Sequence, residues 1–252
     1  MDESRETEQA RFVRWAQSNQ GGEAVPIVAA ATVVLLRDAP DGLETLMLRR
    51  DSRLAFAGGM WVFPGGRVDA GDWPVGTDAS DPAAVAVAGR NAAVREAAEE
   101  AGLAVDSASL VPFAHWTPPP EAPKRFSTQF FVAPAPAGRV TIDDGEIRDH
   151  MWVAPADALR RRDALEIELA PPTWVTLHTL AAHATVDDAI AATRATEPEH
   201  FTTKAAMTDE GIVVLWHGDA GYGDGDANRP GARHRLWMVD TGWRYERSDR
   251  PA

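Results

Sequence analysis

The chain has 252 residues, 44% apolar and 25% charged, which is a globular balance and excludes a disordered, collagen-like or coiled-coil protein. Lys and Arg number 25 against 38 Asp and Glu, a formal charge of −13 that disfavours adhesion to nucleic-acid polymers or membranes. The absence of cysteine excludes disulfides, thiolate nucleophiles and zinc–thiolate sites, and agrees with a cytoplasmic location.

Residues 4–19 read as an N-terminal helix with Phe12 and Trp15 on one face, ended by Gly21-Gly22. Val25 to Leu36 is a Val/Leu-rich run that predicts a strand buried on both faces; it is too short to cross a bilayer, which takes ~20 residues. Asp38 to Gly42 is a turn, and Leu43 to Arg49 a second strand of the same hairpin. Arg50 to Gly66 reads as a glycine-containing loop and Asp69 to Asp81 as an exposed acidic one. Ser80 or Asp81 can cap an alanine-rich helix that starts at Pro82 and stops at Gly102. Its small residues, Ala88 and Ala92 among them, predict close approach to another element. Strands follow at Leu110–Trp116 and Arg125–Ala133, around the turn Pro118–Pro123, and at Arg148–Val153. Helices are expected at Ala156–Arg162, Pro172–His183 and Asp187–Ala195, and strands at Ile212–Trp216 and Arg233–Val239. Gly218 to Gly231 reads as a Gly/Asp loop whose one core residue is Tyr222.

The densest chemical signal is Arg95-Glu96-Ala-Ala-Glu99-Glu100-Ala-Gly102-Leu103. On a helix, Glu96, Glu99 and Glu100 fall at i, i+3 and i+4 on one face. Three like charges there either form a solvated acidic face or await a hard divalent cation, which carboxylate oxygens suit. Their place in the C-terminal half of the helix, where the macrodipole disfavours anions, favours the cation.

Together with Phe63-Pro-Gly65-Gly66 upstream, these residues resemble the Nudix box, G-x5-E-x7-R-E-U-x-E-E-x-G-U with U aliphatic. Gly66, Arg95, Glu96, Glu99, Glu100, Gly102 and Leu103 match, while Ala97 replaces the larger aliphatic. Asp72 stands for the first glutamate. Trp73 to Val94 is fifteen residues longer than the family's spacer, an insertion that loop-closure entropy tolerates. The resemblance implies an α+β fold, an α/β/α sandwich with a mixed sheet. Here it would form a single domain over 1–252: a core at about 25–165, the helix 4–19, and a C-terminal helical and β extension over about 166–252.

The implied activity is hydrolysis of a nucleoside diphosphate linked to another moiety, with Mg²⁺ or Mn²⁺ as cofactor. Glu99 and Glu100 would ligate the metal, with Glu96 a further ligand or the base. Gly66, Asp72, Arg95 and Gly102 would be structural, Asp72 pairing with Arg95. Glu146, just before the Arg148 strand, is the candidate general base; the alternative is an exposed turn acid. Arg50, Leu54, Gly59, Phe63 and Pro64-Gly65-Gly66 also resemble the motif of coenzyme A diphosphatases. Coenzyme A or an acyl derivative is therefore the leading substrate, with ADP-ribose, NADH or another nucleotide as the alternative and a catalytically silent ligand sensor as a different class. Gly65, Gly66, Arg50, Lys124 and Arg125 are candidate substrate contacts, and Arg49 and Arg53 either join them or are solvated. Homodimers are frequent in the family. In the tail, Arg233 and Arg235 share a strand face opposite His234, either capping the site or pairing with acids.

Overall fold

Val33, Val34, Leu35 and Leu36 are consecutive and all fully buried, so the strand that carries them, β1 (Ile27–Ala39), is covered on both faces as its composition requires. The computed structural model describes residues 25–53, 57–142, 145–239 and 242–248. The predicted helix 4–19 and Leu54 lie outside the described residues. The chain divides into two compact units, one of residues 28–116 and 127–200, the other of 1–27, 117–126 and 201–252.

In the larger unit, β1 turns at Pro40-Asp41 into β2 (Gly42–Arg50), antiparallel in the register Leu36↔Thr45 to Ala39↔Gly42, which is the expected hairpin. The segment expected to be loop contains two short strands, β3 (Trp61–Val62) on β2 and β4 (Gly65–Arg67) on β1. Glycine makes the second possible: a Cβ on Gly65 would stand 2.5 Å from the Ala31 carbonyl oxygen.

A 3-10 turn at Ala70–Asp72 precedes the long helix α1 (Pro82–Ala101). Asp81 caps α1 by accepting the Ala83 amide at 2.9 Å, and Gly102 ends it with φ +67°. Ala92, Ala93, Ala97 and Ala101 pack on Ala31, Val33 and Leu35 of β1 and Leu46 and Leu48 of β2. The predicted close approach is met again at Gly89, where a Cβ would come within 2.4 Å of the Gln129 side-chain nitrogen. Asp72, expected on an exposed loop, is instead buried, because Arg95 draws it in.

β5 (Val111–Thr117), β6 (Arg125–Pro134), β7 (Ile147–Val153) and β8 (Glu199–Thr202) complete a sheet of order β3-β2-β1-β6-β5-β8, with β4 on β1 and β7 on β2. Helix α2 (Pro155–Asp163) lies against β2 and against α3 (Pro171–Leu180); α4 (Val186–Arg194) follows. The expected α+β architecture with a mixed sheet is thus observed, joined by an additional antiparallel sheet near the C-terminus.

That second sheet, in the smaller unit, has the order β12-β11-β10-β9, from β9 (Lys204–Thr208), β10 (Gly211–Leu215), β11 (His234–Val239) and β12 (Gly242–Arg247). β8, β9 and β12 were not expected, because they are short; β9 and β12 are strands by virtue of their partners. The loop 218–231 supplies more core than Tyr222 alone: Ala227 packs on Val213, Leu215 and Trp237, and Asp219 is buried against Arg235. Arg235 therefore pairs with an acid, the second of its two expected roles. Among the described residues, no helix is long and apolar enough to cross a membrane.

Candidate active site

Helix α1 and the β4 strand face each other through two glutamate contacts, and the third glutamate turns away. Glu100, only 6% exposed, accepts the Gly65 amide at 2.9 Å through Oε2. Glu96 packs so tightly on Gly66 that a Cβ there would stand 2.3 Å from its Oε1, so only glycine fits. Glu99 is turned outward, its side chain 58% exposed, and accepts an Arg95 hydrogen bond at 2.9 Å. The three carboxylates thus share a helix face in unequal depth, Glu100 innermost and Glu99 at the rim.

Arg95 holds the loop and helix together. Its guanidinium donates to both oxygens of Asp72, at 3.2 and 2.9 Å, to the Arg67 carbonyl at 2.8 Å, and to Glu96 at 2.8 Å. Asn91 adds a hydrogen bond to the Asp72 carbonyl at 2.9 Å. The shorter carboxylate of Asp72 therefore still spans to Arg95, despite the insertion between them. Gly102 contributes only the stop of α1.

Electrostatics set the inner carboxylates apart. Burial pushes the Glu100 carboxyl up to about 8; the Gly65 amide and Arg50 oppose the rise, and the charges of Glu96 and Glu146 add to it. Glu96 is raised too, by burial first, with Arg95 opposing and Glu99 and Asp69 adding. The site carries more negative charge than its arginines balance.

Arg50 and Glu146 meet beside this face. Arg50 donates to Glu146 Oε2 at 2.8 Å, and its other terminal nitrogen is 3.8 Å from Glu100 Oε1. One guanidinium therefore stands between the innermost glutamate and the candidate base. Lys124 and Arg125 belong to the smaller unit: Lys124 is exposed ahead of β6, and Arg125 donates to the Val25 carbonyl at 3.4 Å. Arg148 and Asp51 were overlooked as site residues. The available signal was alternation, since Glu146 and Arg148 are two apart ahead of and within β7 and so share a face.

Residues 86–186 match the NUDIX domain family model. No match is found among curated protein sequences. Among solved structures, the chain is similar to a NUDIX hydrolase from Alicyclobacillus acidocaldarius, with 25% identity and a TM-score of 0.58 over 66% of this chain and 96% of that one. It is also similar to an Ap4A hydrolase from C. elegans, 24% identical with a TM-score of 0.42, covering 62% of this chain and 96% of the other. A third is the NUDIX domain of Shewanella oneidensis NrtR, solved with ADP ribose, 17% identical with a TM-score of 0.44 over 75% and 100%. The fold and the domain match define the class, a hydrolase acting on phosphoanhydrides. The match to the NUDIX domain covers residues 86–186, less than half of the chain.

Nudix enzymes typically use a divalent metal. The donor set here is chemically apt, with hard carboxylate oxygens in a crowd of uncompensated negative charge. As the side chains stand, Glu96 and Glu99 are engaged by Arg95, and no group of three acidic or histidine side chains among the described residues encloses a metal ion.

Proposed function

We propose that the chain is a Mg²⁺- or Mn²⁺-dependent pyrophosphohydrolase whose metal is held by Glu96, Glu99 and Glu100, with Glu146 as general base. The observation that carries this reading is Glu100: a buried carboxylate with one amide donor, a single arginine no nearer than 3.8 Å and two like charges around it. Such a group is stable as an anion when a cation joins it. The metal, when bound, would neutralise the diphosphate and acidify the attacking water.

The chain's own residues do the rest. Gly65 and Gly66, without side chains, leave the approach to the helix face open, and the Asp72–Arg95 clasp fixes that face against the loop. Glu146, on the far side of Arg50 from Glu100, accepts the proton of the attacking water as the new oxygen–phosphorus bond forms and the bridging bond breaks. Glu146→Gln is expected to lower kcat by ~10²–10⁴-fold, and a loss under about threefold removes Glu146 from the mechanism.

For the substrate we propose coenzyme A or an acyl derivative, supported by Arg50, Gly59, Phe63 and the Pro64-Gly65-Gly66 segment, which resemble the motif of that branch. A substrate panel with Mg²⁺ at mildly alkaline pH tests this. Release of phosphopantetheine supports coenzyme A; release of AMP with a sugar phosphate points to ADP-ribose or a similar dinucleotide. No turnover with retained nucleotide binding makes the chain a sensor.

A further inference from the structure

Next to the carboxylate face, Arg49, Arg50, Asp51, Arg53 and Arg148 line a cavity of about 370 Å³. The register between β2 and β7 slips between Arg49 and Arg50, a bulge of the kind that re-aims side chains, and both neighbours line the same cavity. Asp51 organises the remainder. Its carboxylate is 7% exposed and accepts from the Arg53 amide at 2.9 Å, the Arg53 guanidinium at 2.7 Å and the Arg148 guanidinium at 2.6 and 2.7 Å. One buried carboxylate thereby fixes two guanidiniums that remain 78% and 42% exposed.

Of the described residues, four arginines and one acid, Asp51, line the cavity, and Arg50 is shared with Glu146. Asp149, the cross-strand neighbour of Arg49, directs a carboxylate oxygen to the His150 amide. The buried Nε of Arg50 has no acceptor among the described residues. Anchoring the loop to β7 needs one ion pair; additional guanidiniums only repel one another unless an anion sits among them. Planar guanidiniums held at fixed angles suit the oxygens of a phosphate.

We infer that this cavity is a second anion subsite, which takes a phosphomonoester that the substrate carries beyond its scissile diphosphate. The inference rests on the pyrophosphohydrolase reading, since Arg50 borders both the cavity and Glu100 and would join the two ends of one bound molecule. Asp51 acts as a positioning residue that keeps Arg53 and Arg148 spread for the ligand.

Calorimetry on the full chain in EDTA, with adenosine 3′,5′-bisphosphate and adenosine 5′-monophosphate as probes, tests the subsite without turnover. The bisphosphate is expected to bind roughly tenfold or more tightly, and Arg53→Ala and Arg148→Ala to bring that ratio close to one. If Arg148→Ala melts early, Arg53→Ala, at the most exposed of these side chains, decides alone. In the Mg²⁺ assay, the kcat/KM ratio between coenzyme A and 3′-dephospho-coenzyme A, or between NADPH and NADH, should collapse in the same variants. Equal binding of the two probes by the unmodified chain, or a preference that survives both substitutions, overturns the subsite. A clear bisphosphate preference in a chain that cleaves no phosphoanhydride upholds the subsite and defeats the hydrolase reading instead.

Discussion

Two buried carboxylates, one in each unit, are treated in opposite ways. Asp219, with no exposed side-chain surface, accepts two hydrogen bonds from Arg235 at 2.7 Å each, and the amides of Gly221 and His234 at 2.8 and 2.9 Å. Arg235 in turn donates to the Ala227 carbonyl. Burial alone would raise the Asp219 carboxyl, but these donors outweigh it and hold it below the usual carboxylate range. Glu100 is buried almost as deeply, has one amide and a distant arginine, and is driven the other way. The first carboxylate is internally compensated and belongs to the architecture. The second is left short of positive charge, which is what a cation-binding group needs before its ligand arrives.

The contrast can be broken most sharply at Glu100. Glu100→Gln should lower turnover by roughly 10³-fold, since several kcal/mol of charge stabilisation convert to about three decades of rate. The same variant should melt no earlier than the parent in EDTA at about pH 9, because there the substitution removes a buried charge rather than a bond network. Early melting would place Glu100 with Asp219 among the structural carboxylates.

Asp219→Asn should do the reverse. It leaves Arg235 buried and uncompensated, and urea unfolding of the variant is expected to report about 3–5 kcal/mol of lost stability. A change below about 1 kcal/mol would mean that the pair merely fills space.

Acidity sharpens the comparison further. Glu100 has a folded-state pKa above its unfolded value of 4.5, so its contribution to stability is present below about 4.5 and is lost as pH rises through about 8. Above that pH the metal-free protein carries the full buried charge. Mg²⁺ should therefore raise the melting temperature more at about pH 9 than at about pH 6, where protons compete for the same oxygens. Equal shifts at both would separate the metal from Glu100.

The smallest effect is expected at the surface. Arg37 and Glu44 pair across β1 and β2 at 2.7 Å with side chains 44% and 25% exposed. Glu44→Gln, which leaves Arg37 stacked 4.3 Å over Trp152, should cost under about 1 kcal/mol by thermal denaturation. The series from Asp219 to Glu44 then runs from a buried, multiply bonded carboxylate to an exposed ion pair.

Much of the larger unit was legible because its signals are local. The both-faces burial of β1 follows from an unbroken apolar run, the ends of α1 from Asp81 and Gly102, and the common face of the three glutamates from helical spacing. Their unequal depth was not legible, because it depends on Gly65 and Gly66 lying on β1. The burial of Asp72 escaped composition for a similar reason: its loop is acidic and glycine-containing, and its partner Arg95 is 23 positions away. Arg148 reaches Asp51 only through the bulged register of β2 with β7, which no window of sequence encodes. In the smaller unit, Asp219 and Ala227 sit in a stretch whose glycines and aspartates spell an ordinary loop, and a strand 16 positions on turns Asp219 into core.

The Asp72–Arg95 clasp has a practical corollary. Because the turn before the inserted stretch is pinned by Arg95 and Asn91, and its far end is stitched into α1 by the Asp81 cap, what lies between, from Val75 to Ser80, is an exposed span tethered at both ends. A foreign epitope or a fluorescent module spliced into that span would be carried by two sound anchors, making the stretch a natural mounting point for reporters.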